Sequence, residues 1–160
     1  MKEKILEVKN LSFSYKDQKV LSDLSFDVYK GDYFGILGPN GSGKTTLLKL
    51  CLGLISSKEG TIKIFGEDIK DTAQKNKISY ISQKSNAFNV SFPATVQELI
   101  YSSLRSVGYD SKSSKKMTSD AIDLVGIGHI ADRRIGNLSG GQQQKAFIAK
   151  AISSKPEIIF

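Results

Sequence analysis

The sequence predicts an α/β fold with a mainly parallel sheet, an antiparallel β part at its N-terminus and a helical subdomain. Three observations lead to it. Period-two runs open the chain over residues 4–15 and 20–30, where Leu24, Phe26 and Val28 share one face. A continuous apolar run, YFGILG at 33–38, feeds a glycine-rich loop and then an apolar helical stretch. From Phe92 onward the apolar spacing becomes helical.

Each element follows in order. The polar KDQK between the first two runs reads as a turn, so they form an antiparallel start. TTLLKLCLGLI is apolar on nearly every side, which predicts a helix buried between layers. Strands are expected at GTIKIFG (60–66) and KISYIS (77–82). Thr95, with Glu98 three positions on, forms a capping box for a helix whose Val96, Leu99, Ile100 and Leu104 lie together. SKSSKK, with Lys112, Lys115 and Lys116 among serines, reads as a solvated surface turn, and a second helix is expected over residues 118–125. QQKAFIAKAI continues as a further helix, and KPEIIF at 155–160 looks like the approach to a buried parallel strand. The chain has no internal repeat and no low-complexity tract.

A chain of 160 residues with 39% hydrophobic content fits one globular domain, able to bury roughly two thirds of its unfolded surface. The single cysteine, Cys51, excludes an internal disulfide framework, and MKEKILEVKN lacks the pattern of a signal peptide, so the chain reads as cytosolic. Its apolar runs fall far short of the ~20 residues needed to span a bilayer, so membrane contact is expected through a partner. The net charge of +7 raises nucleic acid as a partner. The lysines have no interleaved aromatic residues, however, and no nucleic acid is expected.

Chemistry enters with GPNGSGKTT, formed by Gly38, Pro39, Asn40, Gly41, Ser42, Gly43, Lys44, Thr45 and Thr46. It matches the phosphate-loop pattern between an expected strand and an expected helix. Glycines let successive amides face one anion, and the helix N-terminus adds about half a positive charge. Lys44 can reach β- and γ-phosphates, the Thr45 hydroxyl can ligate Mg²⁺, and Thr46 adds a donor toward the α-phosphate. A second motif, LSGGQ, spans Leu138 to Gln142. Ser139 and Gln142 have capping-box spacing, which alone means only an ordinary helix start. A hydroxyl plus exposed glycine amides at a helix N-terminus also make a second anion site.

These motifs, with NLSFSY followed by VL near the start and Gln83 at the end of KISYIS, resemble the ATP-binding cassette family over the whole chain. The resemblance implies a phosphate-loop NTPase core over residues 1–83, a helical subdomain over 84–137, and the signature helix with the start of the Walker B strand over 138–160. It implies ATP and Mg²⁺ as cofactors, Tyr15 stacked on adenine and Val20 against the ribose. Gln83 would contact Mg²⁺ and the attacking water while linking the site to a transmembrane subunit. Lys44, Gln83 and Ser139 would carry catalysis. Two cassettes would pair head to tail as a homodimer, so that Ser139, Gly140, Gly141 and Gln142 serve the partner's nucleotide. Cys51 reads as core, and His129 is not placed to act as the family's switch histidine.

In that family the strand begun by EIIF ends in an aspartate that helps hold Mg²⁺ and a glutamate that polarises water. Neither occurs among the 160 residues, so the chain looks like a cassette incomplete at its C-terminus and deficient in hydrolysis. The interval from Gln83 to Leu138 is too short for a long coiled-coil insertion, which favours transport over a cassette acting on nucleic acid. SFPATVQELI and ADRRIGNLSGGQQQKAFIAKA are similar to ATPase subunits of bacterial zinc and manganese importers. Such a subunit would sit at the cytoplasmic face of the membrane with a permease and an extracellular solute-binding protein. An importer ATPase for another substrate, and a non-hydrolysing nucleotide-binding module, stay open as alternatives.

Overall fold

A computed structural model describes residues 2–81 and 93–160, in two compact units, Met1–Lys75 and Asn76–Phe160. The first unit opens with two long strands, β1 (Lys4–Tyr15) and β2 (Gln18–Tyr29), paired antiparallel as the period-two runs require. Their alternation is not continuous. The buried series Leu6, Val8 shifts phase to Leu11, because register breaks fall between Val8 and Leu11. Asn10 and Asp23 take left-handed φ values of 46° and 47° there. Polar side chains replace the interrupted ladder: Ser25 Oγ accepts from the Asn10 amide at 2.8 Å, and Ser12 Oγ from the Asp23 amide at 3.0 Å.

The strands β3 (Glu59–Ile64) and β4 (Glu67–Asp68) complete a sheet of order β2-β1-β3-β4, all antiparallel. Helix α1 (Lys44–Cys51) contributes Leu47, Leu50 and Cys51 to the core of this unit. Leu50 meets Leu11, Ile62 and Ile69 around a single small cavity.

Two expectations for this unit are corrected. Among the described residues the run 33–38 has no strand partner, and Tyr33 and Leu37 are 102% and 94% exposed. Its composition suits a buried strand, but an extended segment becomes a strand only where a neighbouring backbone takes up its amides and carbonyls. The apolar helix also does not run on to Ile55 or bury every side. It stops at Cys51, where Gly53 adopts φ 67°. There the Leu54 amide donates to the Lys49 carbonyl at 2.9 Å and the Gly53 amide to that of Leu50 at 3.0 Å, a glycine-closed helix end that leaves Leu54 exposed.

The second unit holds the parallel component among the described residues. It pairs β5 (Ile78–Ser79) with β6 (Ile158–Ile159), so EIIF does enter a sheet. The Phe160 amide donates to the Ser79 carbonyl and the Ile81 amide to that of Phe160, each at 2.9 Å. Most described strand pairing is therefore antiparallel, in contrast to the mainly parallel sheet expected. The pairing is short, covering Ile78 with Ile158 and Ser79 with Ile159, and the last residue of the expected strand 77–82 lies outside the described residues.

Three helices pack with one another in this unit: α2 (Val96–Ser106), α3 (Ser111–Val125) and α4 (Gly140–Ser153). Val96, Ile100, Leu104, Ile127, Ile130, Ile135, Ala146 and Ala149 form their common core. The Thr95–Glu98 capping box is formed as expected. The first α2 amides also have backbone partners, Val96 donating to Arg133 at 3.2 Å and Gln97 to Ala131 at 3.0 Å.

SKSSKK is not a turn. Asp110 caps α3 through the Ser113 amide at 3.0 Å, and the helix begins at Ser111. Its inward stripe is Ser114, Thr118, Ala121 and Ile122, with the lysines outside. Small polar residues fill the first two inward positions, which hides the helix from a search for apolar periodicity.

Candidate nucleotide-binding site

The phosphate loop lies in the first unit, where β2 and the start of α1 position it. Gly43 is the N-cap residue of α1 at φ 87°, and its backbone sits close on β2. A Cβ there would lie 2.8 Å from Leu21 Cδ2, 3.0 Å from Val20 Cγ1 and 3.1 Å from the Val20 carbonyl oxygen. Only glycine accepts both that φ and that approach. Val20 is thereby brought to the loop. Tyr15, two-fifths to one-half exposed at 45%, ends β1 and meets Phe13 edge-on at a centroid distance of 4.8 Å.

The loop closes on itself through the Ser42 amide, which donates to the Pro39 carbonyl at 3.3 Å. Lys44 Nζ donates to the carbonyls of Gly38 at 2.7 Å and Pro39 at 2.6 Å, and so holds its charge over the loop. The first helical bond runs from the Leu47 amide to the Gly43 carbonyl at 2.8 Å. The amides of Lys44, Thr45 and Thr46 therefore precede the helical ladder. Among the described residues no side chain caps this helix, and no acidic residue occupies its first turn. Gly41, Ser42 and Thr45 are exposed, whereas Thr46 is buried with Leu47.

This donor set fits a polyphosphate: preceding amides, the Lys44 cation and a first helical turn without a carboxylate. Mg²⁺ fits through the exposed Thr45 hydroxyl together with phosphate oxygens. Among the described residues no cluster of three or more His, Cys, Asp or Glu could hold a metal by itself.

In the second unit Ser139 caps α4, its Oγ accepting from the Gln142 amide at 3.4 Å. Gln142 Oε1 accepts in return from the Ser139 amide at 3.0 Å. Gly140 and Gly141 are exposed, with open space where a Cβ would stand. Their amides precede the helical ladder, whose first bond runs from the Gln143 amide to the Ser139 carbonyl at 2.8 Å. Gln83 falls outside the described residues. His129 is exposed in a single 3₁₀ turn, Gly128–Ile130. Cys51 is 2% exposed, and burial pushes its thiol up to about 12, as expected of core rather than a reactive group.

Sequence reasoning missed two residues that shape the approach to Ser139. Gln143 is buried and donates through Nε2 to the carbonyls of Ile135 at 3.1 Å and Leu138 at 3.3 Å. Arg133 donates to the Asn137 carbonyl at 3.2 Å. The signal for Gln143 was its place in QQQ, one position beyond the capping-box Gln142 and four beyond the cap Ser139, at which a side chain can turn back under the loop.

A glycine-cradled phosphate loop at a helix N-terminus, on an α/β scaffold, defines a phosphate-loop nucleotide-binding protein. The chain belongs to the ABC transporter family, whose sequence model matches residues 21–160. It is 45% identical over 160 residues to the zinc uptake system ATP-binding protein ZurA of Listeria innocua, covering 98% of this chain and 62% of that protein. It is 36% identical over 159 residues to the manganese transport system ATP-binding protein MntB of Bacillus subtilis, covering 97% of this chain and 62% of that protein. The chain thus spans about three fifths of the length of these relatives. The fold is similar to that of cbiO1 from Clostridium perfringens, part of the ABC transporter complex cbiONQ. That similarity has a TM-score of 0.85 at 24% identity, over 98% of this chain and 64% of that one. Among the described residues no helix is long and apolar enough to cross a membrane.

Proposed function

We propose that this chain is the ATP-binding part of an importer for a divalent metal ion, zinc or manganese, and that it couples ATP binding and hydrolysis to transport. The observation that carries the nucleotide reading is the Gly43-cradled loop with Lys44 folded over it. The metal reading is supported by the zinc and manganese systems named for its relatives.

In this reading residues 1–83 form the nucleotide core, 84–137 the helical subdomain and 138–160 the signature helix with the start of the next strand. The loop amides from Gly38 to Thr46 hold the phosphates. Lys44 exchanges its two loop carbonyls for β- and γ-phosphate oxygens. Tyr15 stacks on adenine and Val20 contacts the ribose. Thr45, with Gln83, would hold Mg²⁺, which when bound neutralises charge developing on the transferred phosphoryl group. Ser139, Gly140, Gly141 and Gln142 serve the nucleotide of a second copy paired head to tail. Partners are a permease, which keeps the subunit at the cytoplasmic face of the membrane, and a solute-binding protein.

A polypeptide of residues 1–160 carries the binding loop without the two acids that the family places after EIIF. It should bind ATP and turn over little, since losing a general base costs on the order of 10²–10⁴-fold.

The transport reading is tested by radioisotope uptake in cells whose full gene carries Lys44→Ala. Uptake of zinc or manganese should fall to that of a gene deletion. Unchanged uptake of both ions, with loss of a different solute, would move the chain to another importer class.

A further inference from the structure

We infer that Gln143 is a positioning residue for the signature loop, setting the direction in which Ser139 and the Gly140 and Gly141 amides face. This rests on the reading that the loop serves a partner's nucleotide. It assigns a role to a residue outside the LSGGQ motif.

The carbonyl of Leu138 and the amide of Ser139 belong to the same plane, and a plane held on both sides cannot rotate. Gln142 Oε1 accepts from the Ser139 amide at 3.0 Å, and Gln143 Nε2 donates to the Leu138 carbonyl at 3.3 Å. Two consecutive glutamines thus clamp the peptide at which the chain enters α4. The second hydrogen of Gln143 Nε2 goes to the Ile135 carbonyl at 3.1 Å, which ties the clamp to the preceding 3₁₀ turn, Ile135–Asn137.

That turn is firmly placed. Ile135 is fully buried and its amide donates to the Ala94 carbonyl at 3.0 Å. Gln143 therefore transmits a fixed position to an exposed loop.

The orientation of the amide is determined by its partners. Turning it over would set Oε1 against two carbonyl oxygens and forfeit both bonds. In the observed orientation Oε1 is buried without a hydrogen-bond partner among the described residues. A buried amide with one orphaned acceptor is a costly choice for mere filling, since an apolar side chain would leave no unsatisfied oxygen. What the glutamine supplies is its two donors. Arginine also presents donors and carries no acceptor, on a longer side chain that brings a charge with it, whereas ionised glutamate matches the shape with no donor.

The test uses the full gene product, with steady-state ATP hydrolysis and ATP affinity measured for Gln143→Arg, Gln143→Glu and Gln143→Leu. Nucleotide held by a protomer's own loop should bind within about twofold of wild type in all three, because Lys44 and Gly43 are untouched. The maximal rate should fall by at least about tenfold in the Glu and Leu variants, the scale of a misaimed transition-state contact. It should fall less in the Arg variant, which keeps donors able to reach the two carbonyls. Ile127→Val, a change in the same helical core, provides the comparison for lost stability alone.

A full rate in Gln143→Leu overturns the inference. So does a Gln143→Arg variant that folds, binds ATP and is as slow as Gln143→Leu, or a loss no larger than that of Ile127→Val at equal melting temperature. Ser139→Arg, measured alongside, separates the two levels. If it keeps full turnover, the signature reading itself fails. If it abolishes turnover while Gln143→Leu does not, only the positioning role fails.

Discussion

Two glycines of the first unit show how a residue's surroundings decide its role. Gly43 and Gly60 both have left-handed φ, 87° and 80°. At Gly60 a Cβ would stand 2.5 Å from the Asn10 carbonyl oxygen, 2.6 Å from Leu11 Cα and 2.6 Å from the Lys9 carbonyl oxygen, all backbone atoms of β1. At Gly43 the two nearest atoms are side-chain methyls of Leu21 and Val20, which can yield slightly. Gly43→Ala should therefore cost about 1–3 kcal/mol, the scale of an unfavourable φ with local repacking, and should weaken ATP binding as well. Gly60→Ala should be the more destabilising in urea unfolding yet should affect nucleotide only through lost folded protein. Equal stability losses, or intact ATP affinity in folded Gly43→Ala, would contradict this division. Only the functional glycine was legible in the sequence, because GPNGSGKTT has a recognisable spacing. The tight seat of Gly60 on β1 depends on a neighbour nearly fifty positions away, which no local pattern reports.

Among the elements, capping was read well where both partners were written in the sequence and poorly where periodicity was sought first. The Thr95–Glu98 and Ser139–Gln142 boxes are both formed. The start of α3 was missed, although Asp110 with the Ser113 amide is the same device. Protonation tests these starts. The Thr95 amide and hydroxyl hold the Glu98 carboxyl below its usual value, with a smaller contribution from Arg134. The Ser113 side chain and amide do the same for Asp110. Carboxyls depressed in the folded state add stability that is present above their ordinary values, 4.5 for Glu98 and 3.8 for Asp110. That stability is lost as pH falls through the lower folded values. Helicity and melting temperature should thus decline on acidification below those values. Glu98→Gln and Asp110→Asn should flatten the decline. An acid profile identical in the double variant would mean that the caps do not contribute.

At the scale of the whole molecule, the account separates holding a nucleotide from hydrolysing it. The family, the mixed helix-and-strand class and the two helix-end motifs were legible in the sequence, since each motif lies within a short segment whose local geometry follows from its glycines and caps. The division of the described chain into units at Lys75 was not, because it depends on which long-range contacts form. The most direct measurement of the central claim is calorimetric titration of ATP into purified residues 1–160 and into the Lys44→Ala variant, with phosphate release followed in the same samples. Lys44→Ala removes charge-assisted hydrogen bonds of about 1.5–3 kcal/mol, which corresponds to roughly a 10–100-fold loss of affinity. That loss is expected, with little phosphate released by either protein. Equal affinities of the two proteins would contradict the phosphate-loop assignment, and vigorous Lys44-dependent phosphate release by residues 1–160 would contradict the separation of binding from turnover.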